Sequence, residues 1–277
     1  MPEAITVSDT RYTQLLEIIR PYRRLIVAYS GGIDSTFVVK AAADALGVEN
    51  ILAVTGVSAS LAPREREQAS AALRAIGLDH RHRLIETSEQ DNPKYRENNP
   101  DRCFHCKTEL YTQLIPIAAA EEYDCIANGA NYDDLGDFRP GMDAAKEFRV
   151  VSPLVEAKLT KNDVRDLAKQ VGLPNWDKPA APCLASRVPH GDEVNPEKLA
   201  QIATAEAYLH DLGLKDFRVR HHGDVARIEL TGDDWSFFAD SDRRAKIETA
   251  LQQFGFRFVA LDLGGYFQGK AVIRDEQ

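Results

Sequence analysis

Leu25-Ile26-Val27-Ala28-Tyr29-Ser30-Gly31-Gly32-Ile33-Asp34-Ser35 joins an apolar run to a small glycine-rich turn, and a helical pattern begins directly behind it. Leu25 to Tyr29 is short, apolar and β-compatible, as a strand buried on both faces requires, while Ile33, Phe37, Val38 and Ala41 recur at helical spacing. Ser30, Gly31 and Gly32 therefore fall between the end of a strand and the start of a helix. The first N–H groups of a helix have no carbonyl partners inside it, and the aligned peptide dipoles add partial positive charge there. An anion fits such a place. Two glycines remove the Cβ atoms that would block a close approach, and the hydroxyls of Ser30, Ser35 and Thr36 add donors, so a phosphate can be cradled by backbone. The spacing is not that of a Walker loop, whose G-x-x-x-x-G-K-[ST] lysine is missing.

The pattern S-G-G-x-D-S resembles the PP-loop of the ATP pyrophosphatases, which cleave ATP between the α and β phosphates. The plainer reading is an ordinary strand-to-helix turn with Asp34 as its N-cap.

The 277 residues suggest about two domains, and 44% apolar residues can supply a core for each. No apolar run approaches the ~20 residues that cross a bilayer, and the N-terminus lacks the layout of a signal peptide, so no membrane is expected and the cytoplasm is the default address. A net charge of −9 argues against binding long nucleic acid through bulk electrostatics. Four cysteines in such a chain are to be read for metal or catalytic chemistry before disulfides.

Along the chain, a lead-in helix is expected over 10–21, strands over 50–54, 80–86 and 123–127, and a helix over 63–76 closed by Gly77. Arg64, Arg66, His80 and His82 are read as solvated surface. Residues 92–100 read as a loop, 137–141 as a turn and 150–154 as an extended piece. Thr160 is the natural N-cap of a helix over 161–171, with Asp163 completing a variant capping box. Leu173 to Pro189, with four prolines, Cys183 and Arg187, cannot be a regular element and reads as a stiffened arm carrying a reactive thiol. From Pro196 the texture becomes helix, strand (217–221), strand (225–230), helix and strand, a small α+β unit, which puts a domain boundary near Gly191.

Cys103-Phe104-His105-Cys106-Lys107 opens an amphipathic helix, so two thiols share one side of a turn at its positive end. Half a zinc site, a redox couple and iron–sulfur ligation all remain open from spacing alone. Cys125, inside a strand, reads as core. Asp133 and Asp134 follow a strand as candidates for magnesium or for capping. Arg218 and Arg220 alternate onto one strand face, which suits a phosphate because two buried like charges need an anion; a solvated sheet face is the other reading.

SGGIDS, NGANYDDLGDFRPG, SPLVEAKLTKNDVRDLAKQVGLPNWDKPAAPCLASR and FRVRHHGDVARIEL together resemble the ATP-dependent sulfur transferases of the LarE type over nearly the whole chain. The resemblance implies an α/β architecture: a PP-loop (adenine nucleotide alpha hydrolase-like) parallel sheet flanked by helices over residues 1–190, and a smaller C-terminal α+β domain over 191–277 for substrate binding and oligomerisation. It implies ATP and magnesium dependence, homo-oligomers such as hexamers, and a pyridinium-3,5-dicarboxylic acid mononucleotide as substrate, adenylated and then sulfurated toward the nickel-pincer nucleotide.

Two sulfur routes occur in that family. A single cysteine matching Cys183 is sacrificed, or three cysteines hold a 4Fe-4S cluster that carries added sulfide; Cys103, Cys106 and Cys183 match the three-cysteine pattern. By the same resemblance Ser30, Gly31, Gly32, Asp34, Ser35 and Gly129 serve ATP and pyrophosphate, and Arg187, Arg218 and Arg220 hold the substrate phosphate. Lys107, Asp34 and Glu206 stand near the reacting centre. The alternatives are a PP-loop tRNA thiolase or amidotransferase, disfavoured by the acidity and by the lack of a glutaminase domain.

Overall fold

The computed structural model describes residues 9–136, 139–231 and 234–266. The chain forms two compact units. The first takes the chain up to Ser58, Glu65–Glu89 and Cys103–Ala181; the second takes Ala59–Arg64, Gln90–Arg102 and the chain from Pro182 onward.

The elements run in the order α1 (Thr10–Ile19), β1 (Leu25–Ala28), α2 (Ile33–Leu46), β2 (Ile51–Val57), α3 (Pro63–Ala75), β3 (His82–Glu86), α4 (Pro93–Arg96), α5 (Arg102–Ala120), β4 (Cys125–Ala127), α6 (Pro140–Glu147), α7 (Pro153–Glu156), α8 (Lys161–Gln170), α9 (Pro196–Asp211), β5 (Phe217–His222), β6 (Val225–Leu230), α10 (Ser241–Gln253) and β7 (Phe258–Leu261).

The first unit is built on a sheet with strand order β3-β2-β1-β4, parallel throughout. β1 and most of β2 are apolar and buried because both faces are covered there, whereas β3 at the sheet edge is half-exposed. Leu25 and Val27 enter one core with Phe37, Leu15 and Leu167, whereas Ile26 and Ala28 enter the opposite core with Tyr111, Leu114 and Ala144. This is the α/β architecture the opening stretch announces. The order reverses beside β1, with β2 on one side and β4 on the other, and the crevice at the carboxyl ends of those strands is where open α/β sheets take ligands.

Local signals account for most boundaries. α8 has the full capping box, with the Thr160 side chain on the Asp163 amide and Asp163 on the Thr160 amide. Some expectations are corrected. The expected loop at 92–100 contains α4, which Asn92 caps and Pro93 opens. The extended piece at 150–154 is reduced to a single bridge between Val151 and Ala127 before Pro153 starts α7. In the expected turn at 137–141, Pro140 and Gly141 instead open α6, while Asp137 and Phe138 lie outside the described residues.

The second unit has an antiparallel β5–β6 hairpin with β7 added parallel to β6. One sheet face carries Phe217, Val219, Ala226 and Ile228 against Leu209 of α9 and Leu251 of α10. The other face carries Arg218, Arg220, Arg227 and Glu229, with Arg220 opposite Arg227 in the ladder.

Candidate active site

The turn after β1 is held open by two close approaches. Gly31 has φ of +75°, and a Cβ there would lie 2.5 Å from the Cβ of Ala69, so only glycine fits. Gly129, just beyond β4, passes so near α2 that its Cβ would meet the Ser35 nitrogen at 2.7 Å. The N-cap of α2 is Gly32, not Asp34, and Asp34 stands in the first turn. Around the rim, the Ser30 and Ser35 hydroxyls are 3.1 Å apart, and Ser35 and Thr36 donate to the Gly32 carbonyl at 3.1 and 2.8 Å. Ser30, Gly31, Gly32, Asp34, Ser35 and Gly129 are thus one constellation at the switch point of the sheet.

Three further residues complete it. The Lys161 ammonium, on the first residue of α8, pairs with Asp34 at 2.5 Å. Asn131, nearly buried, reaches Asp34 at 3.4 Å. Asn175 donates to the Gly31 carbonyl at 3.3 Å and to the Thr36 hydroxyl at 3.0 Å. Nothing in a local motif marks Lys161 as belonging to a turn 127 residues earlier.

Asp133 and Asp134 are engaged in holding backbone. Asp133 accepts from the Lys161 amide at 2.8 Å, and Asp134 accepts from the Asn131 amide at 3.0 Å and pairs with Arg139 at 2.8 Å. His82 is not surface, as the sequence reading had it. It is half-buried, hydrogen-bonds Thr55 at 2.9 Å and meets the edge of Tyr29, and burial pushes its pKa down.

None of the four cysteines forms a disulfide: Cys103 and Cys183 are exposed, and Cys106 and Cys125 are partly covered. Burial, reinforced by the nearby Asp124 and Glu156 carboxylates, pushes the Cys125 thiol up to about 12, which makes it a poor nucleophile and suits its place in β4. Cys103 and Cys106 stand one turn apart at the start of α5, and a Cβ on Gly141 would press on the Lys107 stem at 3.3 Å. Thiols one helical turn apart fit iron as donors. Cys103 and Cys106 belong to the first unit and Cys183 to the second. Among the described residues no three His, Cys, Asp or Glu side chains stand together as a metal site.

In the second unit, Cys183 precedes a 3-10 turn, Leu184–Arg187. Arg187 is 5% exposed and forms a two-pronged pair with Glu206 at 3.0 and 3.1 Å. Glu206 also accepts from the Val219 amide at 3.0 Å. Arg220 is 6% exposed and pairs at 2.8 Å with Glu229, which has no exposed surface. Glu206 and Glu229 thus supply counter-charges to Arg187 and Arg220 from within the protein. Arg218 lies over the Tyr266 ring at 4.8 Å, and burial, with Arg187 next, lowers its pKa.

A parallel sheet with this turn after its first strand defines the PP-loop class of ATP-using enzymes. No protein-family model matches the chain. It is 26% identical over 239 residues to a GMP synthase of Bdellovibrio bacteriovorus, covering 76% of this chain and 45% of that protein. Much fuller similarity is found elsewhere. The chain is 37% identical over 265 residues to pyridinium-3,5-bisthiocarboxylic acid mononucleotide synthase of Lactiplantibacillus plantarum, covering 94% of this chain and 93% of the synthase. It is 44% identical over 262 residues to an uncharacterised Synechocystis protein, slr1717, covering 95% and 97%. The chain belongs to the LarE family, that of the mononucleotide synthase. No helix among the described residues is long and apolar enough to cross a membrane.

Proposed function

We propose that this protein uses ATP, as its magnesium complex, to adenylate a carboxylate of pyridinium-3,5-dicarboxylic acid mononucleotide and then replaces AMP with sulfur. The carboxylate oxygen would attack the α-phosphorus, the bond to the β-phosphate would break, and pyrophosphate would leave. Sulfur would then add at the carbonyl carbon and AMP would depart, which works because AMP is a far better leaving group than an oxide. The observation that carries this reading is the 37% identity to the synthase across 94% of the chain. The cradle supports the first half of the reaction.

Lys161 supports it too, as the cation a Walker loop would carry internally. Pairing with Asp34 keeps it at the cradle, from which it can move to the nucleotide phosphates. Lys161→Ala is expected to weaken ATP binding about tenfold or more, the loss of one charged hydrogen bond, and to leave adenosine binding unchanged. Calorimetric titration with each ligand checks this; an equal loss for both would assign Lys161 to structure alone.

For sulfur delivery we favour three-thiolate ligation by Cys103, Cys106 and Cys183. A 4Fe-4S cluster held by three thiolates supplies an open iron position able to carry sulfide. The chain's own part is to present Cys103 and Cys183 exposed and Cys106 half-exposed, while the fourth cysteine, Cys125, sits within a strand. Anaerobic reconstitution followed by iron analysis tests this reading. Wild type is expected to bind iron and make thiocarboxylate repeatedly with added sulfide, and Cys103→Ala combined with Cys106→Ala is expected to lose both. One thiocarboxylate per protein, with no iron bound, would point to sacrifice of the Cys183 sulfur instead, and undiminished repeated turnover in that variant would overturn three-thiolate ligation. A homo-oligomer is the expected assembly.

A further inference from the structure

Five consecutive residues around Cys183 have their main chain held, and the holders are chiefly guanidinium groups. Arg187 donates to the Pro182 carbonyl at 2.5 Å and to the Cys183 carbonyl at 3.1 Å. Arg102 donates to the Ala185 carbonyl at 2.8 Å. Arg220 donates to the Ser186 carbonyl at 2.6 Å. Between them the Leu184 amide donates to the Ser60 carbonyl at 2.9 Å. All three arginines are buried, at 5 to 6% exposure, whereas Cys183 is exposed.

The surroundings fix the holders in turn. Arg187 is locked by Glu206 and Arg220 by Glu229. Arg102 also donates to the side chain of Asn98, a fully buried residue with φ of +56°. Asn98 itself donates to the Val188 and Pro189 carbonyls at 3.2 and 2.7 Å, so the same corner grips the far end of the arm. Burying three guanidiniums is a costly way to hold a loop, since well-packed apolar side chains of similar volume often do so with equal or greater stability. What charged donors add is direction. They fix each carbonyl, and hence the backbone path, without covering the side chain at 183.

We infer that Arg102, Arg187 and Arg220 form a main-chain clamp that positions Cys183 for sulfur delivery, with Arg102 a positioning residue that makes no contact with substrate. This rests on the reading of Cys183 as a sulfur-handling residue. It also gives Arg187 and Arg220 a duty other than the substrate phosphate that the family resemblance implies for them.

Arg102 offers the cleanest test. In the full-length protein, Arg102→Gln and the charge-keeping Arg102→Lys are compared by amide hydrogen exchange over 182–188, by pyrophosphate release and by thiocarboxylate formed per pyrophosphate. In Arg102→Gln, exchange across the arm is expected to rise about tenfold or more, the equivalent of one hydrogen bond from a charged donor. Protection in α9 and β5 should persist, and sulfur transferred per pyrophosphate should fall by a similar factor. Arg102→Lys should lie between the two, and it carries the test if Arg102→Gln does not fold. Exchange rising equally in every element, or arm exchange rising with no change in sulfur per pyrophosphate, would overturn the clamp. Failure of wild type to release pyrophosphate with the mononucleotide would instead overturn the proposed reaction, leaving the exchange result to stand on its own.

Discussion

Cys183→Ser is expected to separate the two halves of the reaction. Pyrophosphate release on first mixing with ATP and the mononucleotide should continue, since the cradle from Ser30 to Ser35 belongs to the first unit and Cys183 to the second. Thiocarboxylate formation should fall at least about a hundredfold, because an oxygen at this position neither ligates iron as a thiolate does nor carries sulfur to give up. Serine is close in volume to cysteine, and the bonds that hold this residue run through its carbonyl, so the arm should keep its path. Rapid-quench assay of pyrophosphate beside mass spectrometry of the nucleotide product reads both halves at once. Equal loss of the two would mean that the thiol takes part in adenylation.

Glu229→Ala should be among the most destabilising single changes in the second unit. Glu229 has no exposed surface and is flanked by Arg220 at 2.8 Å and Arg227 at 3.0 Å. Removing the carboxylate leaves a buried guanidinium without its counter-charge, which costs about 3–5 kcal/mol when one partner of a buried pair is lost. Chemical denaturation should show the midpoint shifted with the slope unchanged. A loss below about 1 kcal/mol would mean that Arg220 recovers another anion, contrary to the pairing described.

The contrast between these two sites explains how much could be read in the sequence. The cradle was legible because its elements are consecutive: an apolar run, a glycine turn and a helix follow one another from Leu25 to Ala41, and that order fixes both the fold and the place of the turn. Gly129 came only through family resemblance, and its physical reason, the approach to Ser35 at 2.7 Å, exists only once β4 lies beside β1. Lys161 was read as the first residue of a capped helix. Its pairing with Asp34 depends on where α8 packs, which periodicity does not reveal.

The arginines show the same limit from the other side. Alternation correctly put Arg218 and Arg220 on one face of β5, but the anion facing them could be named only with the hairpin register, which sets Arg220 opposite Arg227 and brings Glu229 onto the diagonal. His82 was misassigned for a similar reason. A histidine in a polar-looking stretch reads as surface, yet β3 sets it against Thr55 of β2. Arg102 escaped notice entirely because its partner carbonyl lies 83 residues away and a backbone acceptor leaves no mark in composition.

Because the arm around Cys183 is gripped through its carbonyls, the identity of the side chain at that position is absent from the set of bonds that shape it. Backbone groups are common to every residue, so the seat is general while its occupant is specific. A scaffold of this kind makes the reactive group exchangeable. Position 183 can be altered as a single variable, and whatever chemistry is lost or gained there is attributable to one functional group, not to a redrawn loop.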